Sequence, residues 1–220
     1  MSLSDEQLLA LRLQPAKVGA LVAARREAFD PERARRITIA DAPATERPSP
    51  AAVVREGTTH ALQAWPSAGA WRPGDRVIVG IDDTDQARAR YLGWLRAIAA
   101  EPTPDTTLAP VGSDAAGLHK LWCLTAARLV LPPQVAIEIR HDLVGIRLAQ
   151  LAIGMGADVV AGPITAERSL PLAGVTRPTE TSLSALSTIV RQAGFRPETS
   201  TPDPTAATAA AAPRTNEVTP

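Results

Sequence analysis

Residues Val135 to Pro163 read VAIEIRHDLVGIRLAQLAIGMGADVVAGP. VAIEI is short and β-branched, as a buried strand is. GIRLAQLAIGMG places Leu148, Leu151, Ala152 and Met155 at helical spacing, and DVVAG returns to a strand that stops at Gly162-Pro163. Strand, helix and strand in that order predict one unit of a parallel sheet, and the chain on either side repeats it.

Upstream, RITIA (Arg36–Ala40), RVIVGI (Arg76–Ile81) and TLAPV (Thr107–Val111) supply three more strands. Pro110 predicts that TLAPV lies at an edge or ends early, because proline has no N–H for a ladder. Thr84 to Ala100 carries Ala87, Tyr91, Trp94, Leu95 and Ile98 on one helical face. Leu118 to Leu131 does the same with Leu118, Leu121, Trp122 and Leu129, and Pro132-Pro133 ends it. A last helix, Ser182 to Ala193, turns Leu183, Leu186, Ile189 and Val190 inward and stops at Gly194, a C-cap glycine. Ser49-Pro50 has the form of a helix start, so Pro50 to Trp65 is read as a helix. At the N-terminus, Ser4 and Gln7 form a capping-box pattern, and Val18, Leu21 and Val22 mark a second helix. Its Arg-rich end, RREAFDPERARR, reads as a solvated face.

The expected organisation is a helical segment over 1–35, an α/β domain over 36–197, and a disordered tail over 198–220. About five strands alternate with helices, too few for a closed barrel of eight units. The fold class is therefore α/β, as a partial (β/α) barrel or an open parallel sheet, with right-handed crossovers.

Composition narrows the chemistry. The formal net charge is zero, so nucleic acid and anionic membrane are not expected partners. Nearly all basic residues are Arg, with Lys17 and Lys120 the two lysines, and no aromatics interleave with the arginines. Cys123 is the single cysteine, so neither an internal disulfide nor a thiolate cluster can be built from this chain. No secretory pattern opens the sequence and no apolar run approaches the ~20 residues of a membrane span, which points to the cytoplasm.

Ligands of parallel α/β folds bind at the C-terminal ends of the strands. Here that ring holds Asp41, Asp82-Asp83, Ser113-Asp114, Arg140-His141-Asp142 and Gly162-Pro163. Asp82, Asp83 and Asp85 could bind a hard cation or move protons. The plainer reading, and the one favoured, is that Asp83 caps the next helix, with Gln86 at the third position and Asp85 on the helix dipole. Arg140, His141 and Asp142 are the better candidates for a ligand. His141 either faces the mouth, as a proton carrier or donor to a ligand, or faces outward, as a turn residue. His60 and His119 fall on predicted helices and read as surface or boundary residues. Gly154, Gly156 and Gly162 are too loosely spaced for a phosphate fingerprint.

From about Ser49 to Pro197 the chain resembles the C-terminal half of the radical-SAM enzymes of the futalosine menaquinone pathway. These are the aminofutalosine synthases and dehypoxanthine futalosine cyclases, together with the F420-precursor synthases. The residues that carry the resemblance are GLHKLWCLTAARLVLPP, IRLAQLAIGMGADVVAGPITAE and LSALSTIVRQAGFRP, in that order. RVIVGIDDTDQARARYLGWLRAI stands where the family has a strand ending in glycine and an acidic helix start. The resemblance implies a barrel-derived fold, and it sets Glu167 against a family glutamate. It would also imply a [4Fe–4S] cluster and S-adenosylmethionine. The family holds that cluster through three closely spaced cysteines, and no such trio exists here. The polar loop after the family's glycine-alanine pair is replaced by Asp158-Val159-Val160-Ala161-Gly162-Pro163.

The resemblance and its gaps together predict a cluster-less, non-catalytic relative: a partner, regulatory or substrate-handling protein linked to menaquinone biosynthesis. No catalytic residue and no metal site is assigned, and no cofactor is expected unless a partner chain supplies the cluster. Uncovered sheet edges and faces favour a homodimer or a partner that completes the barrel, unless the N-terminal helices cover that surface within one molecule. One alternative is half of a split radical-SAM enzyme. Another is an independent small-molecule binder using Asp82, His141 and Asp142. The candidate ligand-binding residues are Asp82, Asp83, Arg140, His141, Asp142 and Glu167.

Overall fold

The computed structural model describes residues 3–113, 117–166 and 181–200. Asp114, Glu167 and the chain beyond 200 lie outside them.

All five strands expected from the sequence form, and all run parallel: β1 (Arg36–Asp41), β4 (Arg76–Ile81), β5 (Thr106–Gly112), β6 (Val135–Arg140) and β7 (Val159–Gly162). Three strands were not expected. β2 (Ala51–Arg55) and β3 (Thr58–Leu62) make an antiparallel hairpin where a helix over Pro50 to Trp65 is predicted, and Ser49-Pro50 is no helix start. The physical reason is the turn. Glu56 and Gly57 both take positive φ (49° and 76°), the primed geometry that matches strand twist, and β-branched Val53, Val54, Thr58 and Thr59 flank it. β8 (Arg196–Thr199) pairs in parallel with β1, so Glu198 and Thr199, expected in the tail, belong to the sheet. Pairing with β1 overrides the weak strand propensity of Arg-Pro-Glu-Thr.

The sheet order is β3-β2-β4-β5-β6-β7-β1-β8. It is one mixed, eight-stranded sheet and is not closed, with β3 and β8 as its edges. Pro110 lies in β5 between two neighbours, not at an edge. Two hydrogen bonds explain how. The N–H groups of Thr107 and Ser113 donate to Asp75 and Ile81 on the β4 side, so alternation turns the Pro110 nitrogen toward β6. Pairing between β5 and β6 stops at Leu108 and Ile137, before any donor is needed there.

The helices are α1 (Asp5–Ala10), α2 (Pro15–Phe29), α3 (Asp85–Ala100), α4 (Gly117–Val130), α5 (His141–Val144), α6 (Ile146–Gly154) and α7 (Leu183–Gln192). The Ser4–Gln7 capping box is present in both directions. One large core joins Ile37, Val53, Val77, Val79, Leu108, Ile137 and Val160 of the sheet to every helix but α5, with partly buried Val144 of α5 packed at its margin. Leu8, Leu11, Val18 and Val22 belong to this same core, so the N-terminal helices are packed onto the α/β domain. Trp122 Nε1 donates to the Leu8 carbonyl and Tyr91 Oη to the Cys123 carbonyl, which locks α1, α3 and α4 together. Leu183, expected to face inward, is exposed, as are Leu118 and Leu151 of the expected helical stripes. On α6 the small residues Ala149 and Ala152 make the contact, with Ile153.

Alternate strand residues face away from this core. They form two small clusters, Val54, Ile78, Ala109 and Val111, and Ala40, Ala42 and Ala161. Leu143 of α5 packs onto the first of them.

RREAFDPERARR is not wholly a solvated face. Arg26 is buried, donating to the carbonyls of Ile153 and Ala157 at the end of α6. It also stands 3.5 Å from the Asp158 carboxylate, which pairs with buried Arg128 and accepts the Ile137 N–H at 2.8 Å. No helix among the described residues is long and apolar enough to cross a membrane.

Candidate functional site

The C-terminal ends of the parallel strands gather the expected polar ring. The chain from β1 to β2 crosses that ring as a strap, Ala42 to Pro50, because β1 ends at this mouth and β2 starts beside β4 on its far side.

Arg140 closes β6 with its side chain on the face away from the main core. Its Nε and Nη2 donate to the two carboxylate oxygens of Asp142 at 2.9 and 2.7 Å, a bidentate pair. Nη2 also donates to the Pro43 carbonyl of the strap at 2.7 Å, and Asp142 accepts the Thr45 N–H at 3.3 Å. Burial works to raise the Asp142 pKa, but the hydrogen bonds and charge of Arg140 outweigh it and leave the group below the usual carboxylate value.

Two residues before Arg140 on the same face, Glu138 is buried and accepts from Arg76 Nε and Nη2 at 2.9 and 2.6 Å. Its Oε1 has no hydrogen-bond partner and lies 4.0 Å from Arg140 Nη1. Arg76, Glu138, Arg140 and Asp142 thus form a row of alternating charge across β4 and β6. Sequence reading missed Glu138 and Arg76. The signal was a lone Glu within a strand of apolar residues, a position buried only when paired.

His141 is buried, against the outward reading. Its ring lies on Gly162 so closely that a Cβ there would stand 2.5 Å from Nε2. Nε2 has no hydrogen-bond partner. Burial lowers the His141 pKa, with Asp142 and Asp41 opposing and Arg140 adding to the effect, so the ring is neutral near pH 7. Asp41 is itself engaged, accepting the Ile164 N–H at 3.0 Å.

Asp82 and Asp83 do different work from each other. Asp82 is exposed and meets Arg47 of the strap at 3.4 Å. Asp83 pairs with Arg88 and stands 3.4 Å from both Arg12 and His119 Nδ1. The helix cap is Thr84, whose Oγ1 accepts the Ala87 N–H at 3.1 Å, not Asp83 as expected. Asp85 does open the helix, and its hydrogen bond from Arg88 holds its pKa low.

His119, expected at the surface, is buried. Its Nε2 is 3.1 Å from the Ile81 carbonyl, and the Cys123 sulfur is 3.6 Å from the same nitrogen. Cys, His and Asp therefore meet, but not as a nucleophile and its base. Nε2 is engaged by a carbonyl, burial lowers the His119 pKa, and burial pushes the fully enclosed Cys123 thiol up. His60 lies on β3 and is exposed.

These residues divide into two groups. Arg140, His141 and Asp142 meet at the strap side of the mouth, and Asp83 belongs to a separate cluster on the helical side. Asp82 pairs with Arg47 of the strap and not with the first group, and Glu167 lies outside the described residues. No group of three or more His, Cys, Asp or Glu placed for a metal ion occurs among the described residues. An iron–sulfur cluster does not fit the donors present: one thiol, enclosed and held protonated, is the whole thiolate supply. One open cavity, of about 530 Å³, lies at the opposite end of the strands, lined by Arg33, Thr107, Gln134 and Ala136.

Comparison with known proteins finds no matching family model. It finds no matching curated protein either.

Proposed function

We propose that this chain is a cluster-less relative of the menaquinone-pathway radical-SAM enzymes and acts as a non-catalytic partner, regulatory or substrate-handling protein in the cytoplasm. In this reading the open sheet is a partial (β/α) barrel. One observation carries the non-catalytic part. Asp41, Asp82, Asp83, Arg140 and Asp142 each hold an internal partner, and three of them, Asp82, Arg140 and Asp142, are bonded to the strap. Side chains committed in this way position the chain itself. They leave His141, buried beside the Gly162 backbone, without a side-chain partner. The partner role is supported by the two sheet edges: β3 is exposed over Thr58–Ala61, and no strand among the described residues covers β8.

The test is anaerobic purification of the full chain, reconstitution with iron and sulfide, and measurement of iron content and mass in solution. An iron-free chain that self-associates or captures a partner is the expected result. Iron near four per chain would overturn it.

The open edges also suit a second reading, that the chain is one half of a split radical-SAM enzyme. Co-purification with a chain bearing three clustered cysteines, with iron in the complex, would select it. A free-standing small-molecule site built on Asp82, His141 and Asp142 is less well supported, since Asp82 is exposed and pairs with Arg47 while Asp142 pairs with Arg140.

A further inference from the structure

The strap is bound by its backbone. Arg140 Nη2 donates to the carbonyl of Pro43, and Asp142 Oδ2 accepts the N–H of Thr45, two residues further on. A carbonyl and an N–H at that separation lie on one edge of an extended chain, so the Arg140–Asp142 pair reads the strap as a neighbouring strand would. Two residues later Arg47 provides the third contact, its Nη1 donating to the Ser113 carbonyl at 3.1 Å and its Nη2 to Asp82 at 3.4 Å. Beyond it the strap presses against β4, where a Cβ on Gly80 would come within 2.7 Å of the Pro48 carbonyl.

From these contacts we infer that the mouth is a recognition site for an extended peptide, occupied here by the chain's own strap. The ligand it fits is a partner segment that presents a carbonyl, an N–H two residues on, and a guanidinium two residues after that. The inference rests on the partner reading above and names where the partner docks.

Two features support it. Behind the site, buried Glu138 and Arg140 and half-buried Arg76 form a row of charge, and Asp142 holds the Arg140 fork through two hydrogen bonds that do not involve the strap. The strap is lightly held by comparison. Pro43, Pro48 and Pro50 lack N–H groups, Pro43 and Glu46 are exposed, and Arg47 meets an exposed Asp82. A segment tethered at both ends has an effective concentration on the order of millimolar, so it masks the site against any free peptide weaker than that.

The probe is a synthetic peptide of residues 41–49, DAPATERPS. It is offered to the full chain and to a Thr45→Pro, Arg47→Ala variant, whose strap has lost one donor and its anchor. The variant is expected to bind the peptide at least tenfold more tightly than the unchanged chain. Adding Arg140→Gln should abolish that binding, and a peptide carrying Thr45→Pro should not bind. A variant that unfolds cooperatively yet binds nothing up to millimolar peptide would overturn the inference. So would equal binding to the unchanged chain, because the strap would then not occupy the site. If the double variant does not fold, Arg47→Ala alone supports the same comparison. Iron content is read separately, so loss of this inference leaves the cluster-less reading standing, and the reverse.

Discussion

At the scale of single residues, Gly162 has the least room of the described glycines, because the His141 ring lies against it. Gly162 sits at φ +148°, and an added methyl would run into the His141 ring, itself confined under the end of β7. Gly162→Ala is expected to cost about 3 kcal/mol, from overpacking and an unfavourable backbone together. Urea unfolding measures it, and pairing the change with His141→Ala should recover part of the loss. Asp158 is the second such residue. It is the counter-charge for Arg26 and Arg128, both buried, and it takes the Ile137 N–H. Asp158→Ala leaves two guanidinium groups uncompensated, so a loss of about 3–5 kcal/mol is expected, larger than for Asp158→Asn. The sequence shows both residues, but neither the ring against Gly162 nor the pair of arginines, because those neighbours come from distant elements.

The elements show where local signals win and where they lose. α3 begins with Thr84, and Thr84→Ala should remove about 1 kcal/mol in thermal or urea unfolding, while Asp83→Ala should act through loss of its Arg88 and His119 contacts instead. Four acidic or hydroxyl residues in a row, Asp82 to Asp85, made the cap ambiguous by type. The backbone settles it, since Thr84 is the residue in extended geometry before the first helical turn. The β2–β3 hairpin was legible in principle from Glu56-Gly57 between β-branched residues, but Ser49-Pro50 offered a competing helix start. β8 was not legible, for its four residues have no strand signature and exist as a strand only beside β1. Ending the chain at Phe195 would leave Ile37 and Ile39 in an uncovered edge strand. Such a chain is expected to lower the unfolding midpoint and to associate with rising concentration, readable by sedimentation.

For the whole molecule, the two buried histidines set an acid limit. Both have folded-state pKa values below the ordinary 6.5, with burial as the largest cause in each. Between that value and the lower folded one, the unfolded chain binds more protons than the folded chain. Stability is therefore present above about pH 6.5 and is lost as the pH falls below it, down to the folded values. Unfolding midpoints taken at neutral pH and at successively lower values should fall, and His119→Gln should flatten the slope. The depressed carboxylates, Asp75 and Asp142, act in the same direction but lower, below their ordinary 3.8.

The sequence by itself determined the parallel α/β class, the five central strands and the helices between them, because apolar period and β-branching are properties of neighbours along the chain. It also determined that one sulfur is all the thiolate this chain can offer. Only the tertiary structure decided that the sheet stays open, that the strap crosses the strand ends, and that Arg140 and Asp142 grip it. Those outcomes depend on which distant segments lie side by side, and register along a chain does not record that. Burial then turned His119, His141 and Glu138 from ordinary polar residues into enclosed ones, an effect of the partners packed around them.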